Sequence, residues 1–389
     1  MAPVPSPGVY IQEMSVGARG IAGVPTSVAA FVGAAPGGPA DTAVRIHAFS
    51  DYERAFGGLA DGFELGYSVR QFFLNGGSDA WVVRVAPPAG GPDDTHAAYI
   101  ADRARRHGIY ALDGADHFNL LCLPAVTHGG VLADAVSYCK ERRAFMIVDA
   151  PPAAADAAAM AAAMDTALPR SDHAAVYFPW PRVADPLAGG QPRLTPPCGT
   201  IAGLYARTDG SRGVWKAPAG ADASLAGVVS LAAPVSDDES RNLNPLGVNC
   251  LRTSPGRGTV CWGARTLQGA DHFASEYKYV PVRRLALYLE DSLQRGTQWA
   301  TFEPNEEPLW AQIRQDAGAF MNALFRQGAF QGNTPRDAYL VKCDAETTTQ
   351  ADIDRGVVNI LVGFAPLKPA EFVVIRIQQR AGQAEGQEP

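Results

Sequence analysis

Each end of this 389-residue chain carries a short strand-forming run that is set apart by a connector and has no partner strand beside it. Near the start, Val9-Tyr10-Ile11-Gln12-Glu13 alternates apolar and polar residues at the period of a half-exposed strand, with no hairpin turn following. The small, glycine-rich segment from Ser15 to Pro25 is predicted to be a flexible connector. Near the end, Val373, Ile375 and Ile377 alternate with Val374, Arg376 and Gln378, and Pro366 and Pro369 keep this run out of the sheet before it. An unpaired strand exposes backbone donors and acceptors, which invite pairing with another copy. Several main-chain bonds, each worth about 0.5 to 1.5 kcal/mol net, join copies without a large rigid interface. Identical copies related head to tail close into rings or grow as a helix.

Between the ends the chain is long enough for two or three domains, and its 47% apolar content suits a folded protein. Strands are predicted through SVAAFVG and over 43–49 and 80–85, with a helix opening at Ser50, where Glu53 completes a capping box, and another over 64–74. Short apolar strands at 120–123, 144–149 and 174–178 alternate with helices at 130–143 and 153–168, which implies a parallel sheet covered by helices. The second helix is alanine-rich and is expected on the outside. From Asp237 onward, strands at 247–251 and 259–262 precede amphipathic helices over 282–295 and 308–327, then strands at 338–343 and 357–364.

The formal charge of −7 argues against a partner held by its phosphates. The arginine pairs at 105–106, 142–143 and 283–284 are scattered and read as solvated or subunit-contact faces, so no nucleic acid is expected. No apolar run is long enough to cross a bilayer and the start lacks the pattern of a secretory signal, which predicts synthesis in the bacterial cytoplasm and no membrane insertion. The cysteines at 122, 139, 198, 250, 261 and 343 are widely spaced, several within apolar runs, and read as buried free thiols.

Several runs also match a family. They are GVWKAPAG at 213–220, NLNPLGVNCLRTSPGRG at 242–258, VCWGARTL at 260–267, YKYVPVRRL at 277–285, FEPN at 302–305 and PLKPAEFVVIRI at 366–377. With the opening PGVYI at 7–11, Gly76-Gly77 and WVVRV at 81–85, they resemble the contractile tail sheath family of phages, R-type bacteriocins and extracellular injection systems. The resemblance implies an α/β fold: an α+β inner domain from 26–87 plus 237–365, and an inserted, subtilisin-like α/β outer domain at 88–236. Residues 1–25 would form an arm and linker, and 366–389 a C-terminal strand and tail.

It further implies stacked hexameric rings around an inner tube, with Val9, Tyr10, Ile11 and Gln12 at one end and Phe372, Val373, Val374, Ile375, Arg376 and Ile377 at the other exchanged between subunits. Contraction would drive the tube through a target envelope and consume no nucleotide. The implied partners are further sheath subunits, the tube protein, and baseplate and terminator proteins, in a tail or injection particle that can be released from the cell. Arg314 and Arg326, on the helix over 308–327, are candidate tube contacts; the other reading makes that helix core and its arginines solvated.

Rival chemistries fail on the residues. The family's middle region is described as subtilisin-like, and His128, Asp149 and Gly199-Thr200-Ile201-Ala202 suggest a protease site, but Ile201 stands where the nucleophilic serine belongs. Asp149 also follows the histidine, the wrong order. Asp113, Asp116 and His117 lack a further ligand at metal-site spacing. Gly210 to Lys216 lacks the spacing and ending of a phosphate loop. No enzyme activity, cofactor or metal is therefore expected, and the alternative function is a non-contractile tube, shell or surface-layer subunit.

Overall fold

The computed structural model describes residues 20–87, 92–254 and 256–371, with side chains at 92 and 93 left aside. The chain opens with strands β1 (Ala29–Ala34) and β2 (Ala43–Ile46), helices α1 (Phe49–Phe56) and α2 (Glu64–Leu74), β3 (Ala80–Val85) and α3 (Pro92–Ile100). There follow β4 (Leu120–Cys122), α4 (Gly129–Arg142), β5 (Phe145–Asp149), α5 (Ala157–Thr166), β6 (Ala174–Phe178), β7 (Pro181–Asp185) and β8 (Gln191–Leu194). Next are α6 (Pro197–Arg212), β9 (Val228–Leu231), α7 (Asp237–Leu243), β10 (Val248–Ser254), β11 (Gly258–Cys261) and α8 (Val280–Gly296). The last described elements are α9 (Glu307–Arg326), α10 (Pro335–Ala338), β12 (Tyr339–Lys342), α11 (Gln350–Asp354) and β13 (Leu361–Phe364).

Eight strands form one sheet in the order β11-β10-β6-β5-β4-β1-β3-β2. Strands β10, β6, β5, β4, β1 and β3 run parallel, and the edge strands β11 and β2 are antiparallel to their neighbours. Parallel strands need both faces covered, which is why they read as continuous apolar runs in the sequence. Successive side chains point to opposite faces. Ala30 and Val32 therefore join a core with Leu132, Val136 and Met160 of α4 and α5, whereas Ala29 and Phe31 join one with Phe72, Ile201 and Leu204 of α2 and α6. The alanine-rich α5 buries only Met160 and Met164, as expected of an outer helix.

This sheet runs across the predicted domain division. Strand β1 of the first block pairs with β4, and β10 of the last block pairs with β6, so the boundaries at 87/88 and 236/237 both fall inside one hydrogen-bonded sheet. The region 88–236 is not a separate insertion with its own sheet, apart from the small three-stranded sheet β8-β7-β9.

Helix α6 has little amphipathic pattern because it is packed on most sides. A Cβ on Gly199 would lie 2.1 Å from the Ser68 carbonyl oxygen, and one on Gly203 2.4 Å from that of Phe72. The two glycines, four residues apart, let the backbones of α2 and α6 touch. Helix α1 begins earlier than its predicted Ser50 start: Asp51, not Glu53, accepts the N–H groups of His47 and Ala48 at 2.9 and 3.1 Å.

A third core lies beyond the sheet, where Leu285 and Leu289 of α8 meet Phe320, Met321 and Leu324 of α9 and the inner face of β12 and β13. Helix α8 also serves the sheet, through Val280 and Leu287. Trp215 packs against this third core, and Lys216 donates to the Ala217 carbonyl at 2.7 Å, which secures the turn locally.

The arginine pair at 283–284 is buried, contrary to the solvated reading. Arg284 makes a two-pronged contact with Asp209 at 2.6 and 3.0 Å, both side chains being 3% exposed. Arg283 lies over the Tyr277 ring with its guanidinium 3.0 Å from His173 Nε2. Of the other pairs, Arg105 is exposed, while Arg142 donates to the Leu112 and Ala115 carbonyls.

Candidate assembly interface

Strands β12 and β13 form a two-stranded antiparallel ribbon, and among the described residues neither pairs with any other strand along its outer edge. Cross-strand partners share a face, so Tyr339 with Phe364 and Val341 with Val362 turn toward the third core. Leu340 with Gly363 and Lys342 with Leu361 turn outward, leaving Leu340 53% and Leu361 52% exposed. Val357 and Ile360, just before β13, are also partly bare. A lone two-stranded ribbon is marginal in water. This one has two open backbone edges and a greasy outer face, the features of a sheet awaiting strands.

Both chain ends leave from fixed points. On the N-terminal side, residues 20–26 lie along α8: Val24 N–H donates to Ser292 Oγ at 3.1 Å, and the Thr26 carbonyl accepts from Arg284 at 2.8 Å. The Pro25 carbonyl lies 3.0 Å from His117 Nε2, and a Cβ on Gly296 would strike Ile21 at 2.5 Å. The flexible connector expected over 15–25 is therefore held in place from Ile21 onward, and its residues 15–19 lie outside the described residues.

On the C-terminal side the chain leaves β13 with the Ala365 N–H donating to the Ala338 carbonyl at 2.8 Å, then reaches Glu371. Arg265, whose side chain is fully buried, donates from Nε to Glu371 Oε1 at 2.8 Å and from Nη2 to Oε2 at 2.6 Å. Tyr279 Oη donates to Oε2 at 3.1 Å. Burial alone would raise the Glu371 pKa, but the hydrogen bonds and charge of Arg265 prevail and hold it below the usual glutamate range.

The predicted exchange residues Val9, Tyr10, Ile11, Gln12, Phe372, Val373, Val374, Ile375, Arg376 and Ile377 lie outside the described residues. Arg314 is engaged within its own chain: it pairs with Glu307 at 2.5 Å and donates to the Cys343 carbonyl. Arg326, in the last turn of α9, is exposed. The sequence did not reveal the Arg265–Glu371 pair, since 106 residues separate its members. A lone arginine in the run VCWGARTL was the available signal.

The candidate catalytic and metal-binding residues are engaged in structural contacts. His128 caps α4, its Nδ1 accepting the Val131 N–H at 3.3 Å. Asp149 is buried and accepts the N–H groups of Cys198 and Ala125 at 2.8 and 3.0 Å, capping α6. Burial is the main cause that raises its pKa to about 7, against the backbone bonds that lower it. Ile201 is fully buried in α6. Asp113 accepts from Tyr138 Oη at 2.8 Å, and His117 Nδ1 lies 3.0 Å from Asp291. Among the described residues no three metal-ligating side chains come together, and no helix is long and apolar enough to cross a membrane.

Family models describe this type of chain. The phage tail sheath protein central domain matches residues 95–267, and the phage tail sheath C-terminal domain matches 274–380. The tail sheath protein of Vibrio phage KVP40 is 27% identical over 184 residues, 47% of this chain. The match spans about a quarter of that relative's length. A chain in the six-fold symmetrised baseplate of the anti-feeding prophage is 30% identical, with a TM-score of 0.75, covering 97% of this chain and 100% of that one. A chain of the contracted sheath complex of the extracellular contractile injection system PVC is 29% identical, with a TM-score of 0.77, covering 98% of this chain and 99% of that one.

Proposed function

This chain belongs to the phage tail sheath family, and on that premise we propose that it is a structural subunit of a contractile sheath and not an enzyme. Copies stack as six-membered rings around an inner tube, and contraction packs them more tightly while the tube is driven through a target envelope. The six-fold symmetry of the related baseplate and the contracted state of the related sheath support this reading over a non-contractile tube or shell. The subtilisin-like character expected of the middle region belongs, in this reading, to the helix-flanked parallel strands alone and brings no chemistry, because Ile201 has no nucleophile to offer.

The observation that carries the proposal is the β12–β13 ribbon, open at both edges in a chain whose two ends carry alternating strand-forming runs. Residues 9–12 of one subunit and 372–377 of another add to such ribbons, so that neighbours stay joined while their bodies shift. Each addition supplies main-chain bonds of about 0.5–1.5 kcal/mol apiece and sets new apolar neighbours beside Leu340 and Leu361 on the outer face. Exposed Arg326 is the stronger tube contact of the two arginines on α9, since Arg314 is paired with Glu307. The tube, baseplate and terminator proteins complete the set of partners.

Deleting residues 2–14 tests the proposal. The truncated chain is expected to keep its circular dichroism spectrum and solubility but to form no rings or helical polymers in electron micrographs, alone or with purified tube. Polymers indistinguishable from those of the full chain would reject strand exchange.

A further inference from the structure

We infer that Arg265 moors the C-terminal arm to the eight-stranded sheet, so that the arm pulls on the sheet and not on the ribbon that precedes it in sequence. The inference rests on the reading of residues 372–377 as a donated strand and adds where that strand is anchored.

Glu371 is the residue immediately before the arm, and both of its carboxylate oxygens face Arg265. The remaining guanidinium nitrogen of Arg265, Nη1, donates to Asp271 at 3.0 Å and to the Gly269 carbonyl at 3.3 Å. This two-pronged geometry is the strong form of charge-assisted hydrogen bond, and it fixes direction as well as distance. Arg265 is itself held by its backbone. Its N–H donates to Asn249 Oδ1 at 2.7 Å, and its carbonyl accepts from Asn249 Nδ2 at 2.8 Å.

Asn249 lies on β10, is fully buried, and donates also to the Val176 carbonyl of the neighbouring β6 at 3.1 Å. An unbroken line of short polar contacts thus runs from the parallel sheet through Asn249 and Arg265 to Glu371. The covalent route from Glu371 back to the body passes instead through β13, in a ribbon of two four-residue strands.

The chemistry of the site makes it depend on the arm. A guanidinium removed from water is costly unless paired, and breaking one partner away from a buried pair is strongly destabilising. Asp271 is 53% exposed, so the well-shielded anion that matches Arg265 is Glu371, at 15%. Removing Glu371 from the clamp leaves a buried cation facing solvent-screened charge alone. The clamp therefore resists being opened by a pull on the arm, and tension that a neighbour applies reaches β10 and β6 before it reaches β13.

The test uses the full chain with Ala370, an exposed residue, changed to cysteine and spin-labelled; the native cysteines are all buried. In the otherwise native chain the label is expected to be slow. In Glu371→Gln its rotational correlation time is expected to shorten several-fold and the sedimentable assembled fraction to fall at least tenfold, with little change in the circular dichroism spectrum. Unchanged label motion overturns the mooring. So does assembly within about twofold of the native chain, provided that deletion of 372–389 abolishes assembly. If assembly survives that deletion, the donated-strand reading itself fails, a distinct result. Should Glu371→Gln unfold, Tyr279→Phe removes one of the three donors to Glu371 without altering charge. It must raise label mobility and lower assembly by smaller factors, and no change in either would overturn the proposal.

Discussion

The eight-stranded sheet and the β12–β13 ribbon solve the same problem, satisfying a strand's backbone and covering its faces, by opposite means. The sheet does so within the subunit. Helices cover both faces, residues 220–225 bond to the outer edge of β11, and buried polar groups such as Asn249 and Asp149 have partners, so that among the described residues only the outer edge of β2 lacks a partner strand. The ribbon covers one face only and leaves two edges unpaired among the described residues. The sheet is thus nearly complete within the subunit, and in the proposed reading the ribbon is one that other copies complete. In the proposed reading a sheath subunit needs both, because a body that must survive contraction has to hold its own core together, while a joint that must stay closed has to be left unsaturated until assembly.

The largest effect that would sharpen this contrast is at the buried pair in the body. Asp209→Ala leaves Arg284 buried and unpaired, and the isolated chain is expected to lose about 3–5 kcal/mol in denaturant unfolding. A loss below about 1 kcal/mol would mean that the body does not hold its own core together in the sense argued. Next is Asp149. Its raised pKa means that the folded chain holds more protons than the unfolded chain between the usual aspartate range and about 7, so stability falls as pH rises across that window. The slope reaches up to about 1.4 kcal/mol per pH unit. Asp149→Asn is expected to flatten it, at a constant cost of about 1–3 kcal/mol for an amide N–H set against a backbone N–H. Glu371 has the opposite sign: its lowered pKa gives a contribution present above the usual glutamate range and lost as pH falls through the folded value.

The smallest stability effect is expected on the ribbon. Leu340→Lys and Leu361→Lys, at exposed positions, should change the stability of the isolated chain by no more than about 0.5 kcal/mol. They should nonetheless reduce the polymer seen in electron micrographs. Loss of several kcal/mol from the free subunit would show the outer face already covered from within.

The same contrast governs what could be read from the sequence. The strands β1, β3, β4, β5 and β6 were legible because burial on both faces demands unbroken apolar runs. Helix α6 was missed because close contact with α2 asks for Gly199 and Gly203, residues that read as helix breakers. The sheet that crosses 87/88 and 236/237 was not legible because a change in composition is local, whereas the pairing of β1 with β4 and of β10 with β6 joins distant segments. At the interface, the alternation of the two ends was visible in the residues themselves. The clamp that fixes one of them was not, because nothing near Arg265 in sequence announces Glu371.

Helix α8 contributes Val280 and Leu287 to one core and Leu285 and Leu289 to another. A single stiff rod shared by two close-packed interiors cannot turn for one without jamming the other. Each subunit should therefore travel as one solid piece, and, in the proposed reading, the sliding and tilting of contraction is taken up in the short lengths of chain between neighbours, where hinge-point substitutions would alter how fast the machine fires and leave the shape of its parts unchanged.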